Sequence, residues 1–255
     1  MTLLRGFLLA IAFLTRIPMP LRSELPPGAA GASVAFFPLV GLLLGFASAG
    51  AALLLHAPLH LPPHLLWALV LVALQALLTG ALHLDGFSDI VDGLGGGRSN
   101  RERALEIMKD THIGAFGVVG LILLLVGKIL AMDEALRTPD VVRVLIAYPV
   151  VARFSASLLV VAFPCARATG MARTFHDESG WGMALVASAF TGAALWLLGP
   201  ATWIPAACAL GAGLAAAAYI AFRIRGLTGD AYGAAIELAE LAFLTAAAFP
   251  RLKGA

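Results

Sequence analysis

Residues 82–93 read LHLDGFSDIVDG and place Asp85, Asp89 and Asp92 directly behind a long apolar run. In a continuous helix over 64–93 they occupy positions i, i+4 and i+7, which share one face at 3.6 residues per turn. Carboxylates stacked this way repel and raise one another's pKa. A hard divalent cation removes the conflict, and Mg²⁺ typically takes one or two carboxylates plus substrate phosphates. Asp85, Asp89 and Asp92 are therefore the expected metal ligands. Gly86 and Gly93 beside them would let a polyphosphate or a neighbouring helix come close. The plainer alternative is three surface acids on a solvated helix end.

The next stretch, GLGGGRSNRERALEIMKDTHIGAFG over 93–117, extends this polar region. Gly95, Gly96 and Gly97 predict a flexible turn before Arg98, after which Ser99 or Asn100 caps a helix RERALEIMKD. Glu102, Glu106 and Asp110 repeat every fourth residue, while Arg98, Arg101 and Arg103 offer forked donors that match phosphate oxygens. Glu102 and Glu106 read equally well as an exposed, salt-bridged helix. Asp110, next to Lys109 at the mouth of the following apolar run, is the stronger functional candidate. The glycine-rich turn lacks the Walker A pattern.

A third acidic element, RIRGLTGDAYGAAIELAEL over 223–241, carries Asp230, Glu237 and Glu240 at or within the last apolar segment. Acids at membrane depth cost about 2.5 kcal/mol or more each, so a function is their default reading. Asp230 and Glu237 are seven apart on one face, with Gly229 and Gly233 on that side. Arg153 lies inside VVRVLIAYPVVARFSASLLVV and faces either a carboxylate on another helix or a polar substrate channel. His176 could act as a general base, although a lone loop histidine is usually nothing more. His83 and His112 flank the two acidic stripes. No Ser/His/Asp or Cys/His nucleophile arrangement is visible. The set favours phosphoryl transfer, which needs metal, cations and alignment more than covalent participation by the protein.

The elements that must position these groups are membrane helices. Of 255 residues, 60% are hydrophobic and 13% charged, with a mean hydropathy of +0.93. A soluble domain carries roughly 25% charge. Apolar segments lie near 33–55, 64–82, 113–132, 141–163, 182–199, 203–222 and 235–249, each near the length needed to cross a bilayer. The expected fold is an all-α polytopic bundle of about seven transmembrane helices, one membrane-embedded domain over 1–255. Residues 6–15 are too short to span and read as an interfacial or re-entrant helix, retained in the mature protein because no small-x-small cleavage site follows. Abundant Gly and Ala suit close helix packing. A net charge of +2 argues against nucleic acid, and Cys165 and Cys208 lack any metal or disulfide pattern.

Stretches 16–32, 83–112, 164–181 and 223–234 hold ten of the seventeen Lys and Arg residues, Arg22 among them. An antiparallel succession of seven spans puts all four on one side, which the positive-inside rule makes cytoplasmic. Arg251 and Lys253 count against this if 235–249 spans fully.

The motifs FLTRIPMP (13–20), FFPLVG (36–41), LTGALHLDGFSDIVDGLGGG (78–97), RALEIMKDTHIGAFG (103–117) and GLTGDAYGAAIELAE (226–240) are spread over nearly the whole chain. In combination they resemble the cobalamin-5′-phosphate synthase (adenosylcobinamide-GDP ribazoletransferase) family of integral membrane enzymes. The resemblance implies a Mg²⁺-dependent transferase of late vitamin B12 synthesis. Adenosylcobinamide-GDP is joined to α-ribazole or its 5′-phosphate, and GMP is released. It implies that Asp85, Asp89 and Asp92 form the metal and pyrophosphate site, followed by Asp110 and Asp230. Arg98, Lys109 and Arg153 suit substrate phosphate, and Glu106, Glu237 and Glu240 supporting roles. It further implies a bacterial inner membrane, with room for a homo-oligomer or an association with other B12-assembly enzymes. Two rivals fit less well. A CDP-alcohol phosphatidyltransferase needs DGxxAR, and here Asp92-Gly93 is followed by Leu94-Gly95-Gly96. An ion-coupled transporter should hold its acids near the midplane between repeats, and no repeat is visible.

Overall fold

The structure, a computed structural model, describes residues 2–20, 26–59, 65–98 and 100–252. Arg22, Ser99 and Lys253, named above, lie outside the described residues, as does the side chain of Arg251. Among these described residues twelve α-helices follow in order: α1 (Thr2–Leu14), α2 (Ala29–Val34), α3 (Phe37–Leu59), α4 (Leu65–Thr79), α5 (Leu82–Gly96), α6 (Arg101–Ile107), α7 (Ala115–Leu136), α8 (Val141–Ala162), α9 (Met171–Glu178), α10 (Trp181–Leu198), α11 (Trp203–Ile224) and α12 (Gly229–Leu252). No strand occurs among the described residues; a lone parallel bridge joins Cys165 and Leu227.

Among the described residues, six helices are long and apolar enough to cross a membrane: α3, α7, α8, α10, α11 and α12. The pair α4 and α5 passes the same test jointly but bends by 91° between them. Large side chains such as Leu54, Leu77, Trp196 and Phe222 are at least 75% exposed, which suits a hydrocarbon surrounding. The chain is an all-helical integral membrane protein. At its centre stands α8, with 89% of its span buried against 17% for α10 at the periphery. Gly41 and Gly45, one turn apart on α3, let that helix press onto the backbone of Ile146 and Pro149 in α8. This is the small-xxx-small contact that packing within a bilayer favours.

The continuous helix expected over 64–93 does not form. Gly80 and Ala81 adopt φ of 63° and 56°. The bonds Ala81 N to Ala76 O (2.8 Å) and Gly80 N to Leu77 O (3.2 Å) close α4 in a Schellman turn. Arg16 N donates to Leu78 O (2.8 Å), tying the segment after α1 to this break. The aspartate spacing survives because all three acids lie on α5. The glycine turn also shifts. Helix α5 continues through Gly95 and Gly96, which are glycine because Phe116 and Ile107 occupy the space a side chain would need. Asn100 caps α6, its Oδ1 accepting from Arg103 N at 2.9 Å, as the sequence suggests.

Candidate active site

The site is built where α5 crosses the start of α12. A Cβ on Gly86 would lie 2.9 Å from both the Cα and the carbonyl oxygen of Asp230, and one on Gly233 would lie 3.1 Å from the Cα of His83. Two glycines, one on each helix, therefore allow backbone-to-backbone contact. That contact sets the carboxylates of α5 beside Asp230, and the charges of Asp85 and Asp230 both act on Asp89. Arg167, from the segment between α8 and α9, closes the group with a 3.1 Å ion pair to Asp230. Thr228 Oγ1 donates to Asp230 at 3.2 Å.

The three aspartates of α5 differ in surroundings. Asp85 is exposed, Asp89 half-buried and Asp92 buried. Asp92 accepts from Gly114 N (2.7 Å) and Gly117 N (2.8 Å), so its carboxylate caps the start of α7. A side chain at either glycine would overlap that carboxylate. Asp85 and Asp89 make no side-chain hydrogen bond or ion pair among the described residues. They are the carboxylates left open for a ligand.

Beside Asp89 opens a cleft of about 490 Å³, lined by Asp85, Ser88, Asp89, Lys109, Asp110 and His112 among others. Asp110 binds His112 through both its backbone N (3.0 Å) and its ring Nδ1 (2.7 Å). These bonds hold the Asp110 carboxyl below its ordinary range. Helix α6 carries this loop and is fixed from below: Arg101 donates to Ile224 O (2.8 Å) and Ala166 O (3.1 Å). Arg98 and Glu106 are exposed, make no ion pair with the carboxylates of α5, and do not line the cleft.

The remaining predicted groups form a separate buried cluster. Lys128 of α7 lies 2.6 Å from both Glu237 and Glu240 of α12. Arg153 of α8 pairs with Glu240 and approaches His83 Nδ1 at 3.5 Å. Two cations face two anions, so with a neutral His83 the cluster carries no net charge. Arg153, 1% exposed, is thus bound to a carboxylate of another helix, the first of its two sequence readings. Neither Arg167, one of the basic residues of 164–181, nor Lys128 is marked as a site residue by motif or spacing. The single lysine in VVGLILLLVGKILAM was the available signal for Lys128. His176 bonds the carbonyl of Val160 (2.8 Å) and anchors α9 on α8, outside this site.

Whether the site suits Mg²⁺ is a question of donors. No group of three or more His, Cys, Asp or Glu able to hold a metal occurs among the described residues. Mg²⁺ uses hard oxygens and often only one or two carboxylates, the rest coming from water and substrate phosphate. The open pair Asp85 and Asp89, one turn apart, fits a site that a pyrophosphate completes. Asp92, committed to α7, does not have the same freedom.

Fold and site define the class first: an all-helical membrane enzyme with open carboxylates and cations gathered where α5, α12 and the α6–α7 loop meet. The chain belongs to the cobalamin-5-phosphate synthase family, whose model matches residues 6–248. It is 42% identical over 241 residues to an adenosylcobinamide-GDP ribazoletransferase of Geotalea daltonii, covering 94% of this chain and 95% of that one. Proteins with the same name from Desulfitobacterium hafniense and Klebsiella pneumoniae are 41% and 38% identical, covering 98% and 96% of this chain and 98% and 99% of theirs. No solved structure matches it.

Proposed function

We propose that the chain joins adenosylcobinamide-GDP to α-ribazole or its 5′-phosphate and releases GMP, with Mg²⁺ required. The observation that carries this is the Gly86–Gly233 crossing. It sets two open carboxylates, Asp85 and Asp89, against Asp230 and Arg167, beside a cleft that Lys109 also lines. A ribose hydroxyl of the ribazole attacks the phosphorus on the cobinamide side, and the bond from that phosphorus to the GMP oxygen breaks. When bound, Mg²⁺ neutralises charge on the pyrophosphate and on the departing GMP. Asp85 and Asp89 would hold it. Lys109 at the cleft wall offers a point charge to phosphate. Arg167 holds Asp230 in place, and Asp230, beside the metal-holding pair, accepts the hydroxyl proton.

Lys128, Arg153, Glu237 and Glu240 serve as a positioning frame. They lock α7, α8 and α12 together under the site, and their mutual pairing leaves no open acid there for a transported ion. We further infer a cell inner membrane with the site on the cytoplasmic side, supported by the Lys and Arg concentrated in the stretches that carry it. The test is product formation by the purified protein in nanodiscs. GMP and the joined corrinoid should appear together, only with both substrates and Mg²⁺. Formation of neither, with an active relative as control, would refute the assignment.

A further inference from the structure

Two arginines stand in a backbone conformation that arginine rarely takes. Among the described residues three non-glycine residues have positive φ, and two of them are Arg98 (45°), just past the end of α5, and Arg225 (59°), which closes α11. A side chain in that region crowds the main chain, and helix ends of this form ordinarily use glycine. A cation does complement the negative end of a helix. Arg223 already supplies one to α11 from its last turn, in ordinary helical conformation. The strained positions therefore hold arginine for something outside the turns themselves.

The two helix ends are braced against each other. Arg101 Nε donates to the carbonyl of Ile224 at 2.8 Å, directly before Arg225, and Arg223 reaches the carbonyl of Leu94 at 3.5 Å, one turn before Arg98. Arg103 follows Arg101 on the short helix α6. Five arginines thus gather around the ends of α5 and α11, with Glu102 and Glu106 the acids of α6. Arg101 and Arg223 are engaged, the first by backbone carbonyls and the second by Tyr219 Oη at 2.7 Å. Arg98, Arg103 and Arg225 are exposed and make no side-chain hydrogen bond or ion pair among the described residues.

This cationic group lies at the lipid boundary. Tyr219 and Phe222, in the last turn and a half of the α11 span, are exposed. So is Phe116 at the start of the α7 span, whose ring fills the space beside Gly95. Exposed rings at the end of a span mark the headgroup level. Arginine's forked donors match phosphate oxygens, and basic clusters at this level attract acidic lipids. The fitting partner joins a phosphate anion to apolar chains. A soluble anion would leave the rings bare.

We propose that Arg98, Arg103 and Arg225 bind the headgroup phosphate of an acidic phospholipid, whose acyl chains lie along Tyr219 and Phe222. Both helix ends belong to the charged stretches assigned above to the cytoplasmic side, so the lipid comes from that leaflet. Bound there, it ties the end of α5, the helix that carries Asp85 and Asp89, to the end of α11.

The test is the lipid selectivity of the full chain in phosphatidylcholine bilayers. It is read from the immobilised fractions of spin-labelled phosphatidylglycerol and spin-labelled phosphatidylcholine. Wild type should favour phosphatidylglycerol about threefold or more. The Arg98→Gly/Arg225→Gly double variant should abolish that preference. Glycine suits both backbone angles, so its unfolding temperature in pure phosphatidylcholine should not fall. Arg98→Lys/Arg225→Lys keeps the charges and should keep at least half of the preference. Arg137→Gln/Arg143→Gln removes exposed arginines that pair with Asp133 and Asp140, and should leave the preference unchanged. Equal selectivity in wild type and the double glycine variant, or an equal loss in the Arg137→Gln/Arg143→Gln control, overturns the site. Displacement of the labelled phosphatidylglycerol by millimolar glycerol 3-phosphate would show a site for soluble phosphate and overturn the lipid assignment.

Discussion

Gly86→Ala is the sharpest test of how the site is assembled. The new Cβ would start 2.9 Å from the Asp230 backbone, where ordinary contact begins at 3.4 Å, so α5 and α12 must part by 0.5 Å or more. No flexible side chain stands in the way to yield; the obstacle is the main chain itself. Overpacking of this kind costs about 1–3 kcal/mol, and the better helix propensity of alanine returns about 1 kcal/mol. The net loss of stability is therefore small, about 0–2 kcal/mol. Activity should fall much further. A misplacement of about 1 Å costs on the order of 100-fold, so half that shift between the Asp85–Asp89 pair and Asp230 should lower kcat about 10- to 100-fold. The assay is GMP release in nanodiscs alongside thermal unfolding. Gly211→Ala on α11, whose Cβ would meet nothing within 4 Å, is the control and should keep wild-type turnover. A Gly86→Ala protein within twofold of wild type would refute the claim that this crossing aligns the carboxylates.

Three further outcomes follow from the same geometry. Asp85→Asn should lower GMP release at least 100-fold with little change in unfolding temperature, because that carboxylate makes no hydrogen bond or ion pair among the described residues. Asp92→Ala should instead cost stability, about 1.5–3 kcal/mol for each lost bond to Gly114 N or Gly117 N; an unfolding midpoint equal to wild type would contradict its role as the cap of α7. Lys128→Met strands Glu237 and Glu240 in the bundle and should destabilise by about 3–5 kcal/mol. Adding Glu237→Gln should recover part of that loss, and strict additivity in the double-mutant cycle would argue against the pairing.

Much of this was legible in the chain. The all-helical membrane fold follows from apolar runs whose length matches a bilayer, and the combination of DGxxDxxDG with TGDxxGAxxExxE marks the family over almost the whole sequence. What spacing could not supply was partners. Asp85, Asp89 and Asp92 are equivalent by period, yet Asp92 meets backbone N–H groups 22 and 25 residues further on and becomes a cap. Arg153 reads equally as the partner of a carboxylate or as a phosphate ligand, and only Glu240, 87 residues away, decides between the two. Gly95 and Gly96 suggest a turn by propensity, but Phe116 and Ile107 need their space within the helix. Gly80 did carry a local signal for the break in the apolar run, which the strength of that run obscured. Apart from the Gly80 break, each of these differences is a tertiary contact overriding a local preference.

The central claim is that Asp85 and Asp89 hold the metal against the pyrophosphate. It is tested most directly by the Mg²⁺ dependence of GMP release from adenosylcobinamide-GDP plus α-ribazole 5′-phosphate, measured for wild type and Asp89→Asn. The account predicts saturation with Mg²⁺ in the wild type, and in the variant either no turnover or a half-saturating Mg²⁺ concentration raised at least tenfold. Coincident metal curves for the two proteins would contradict it.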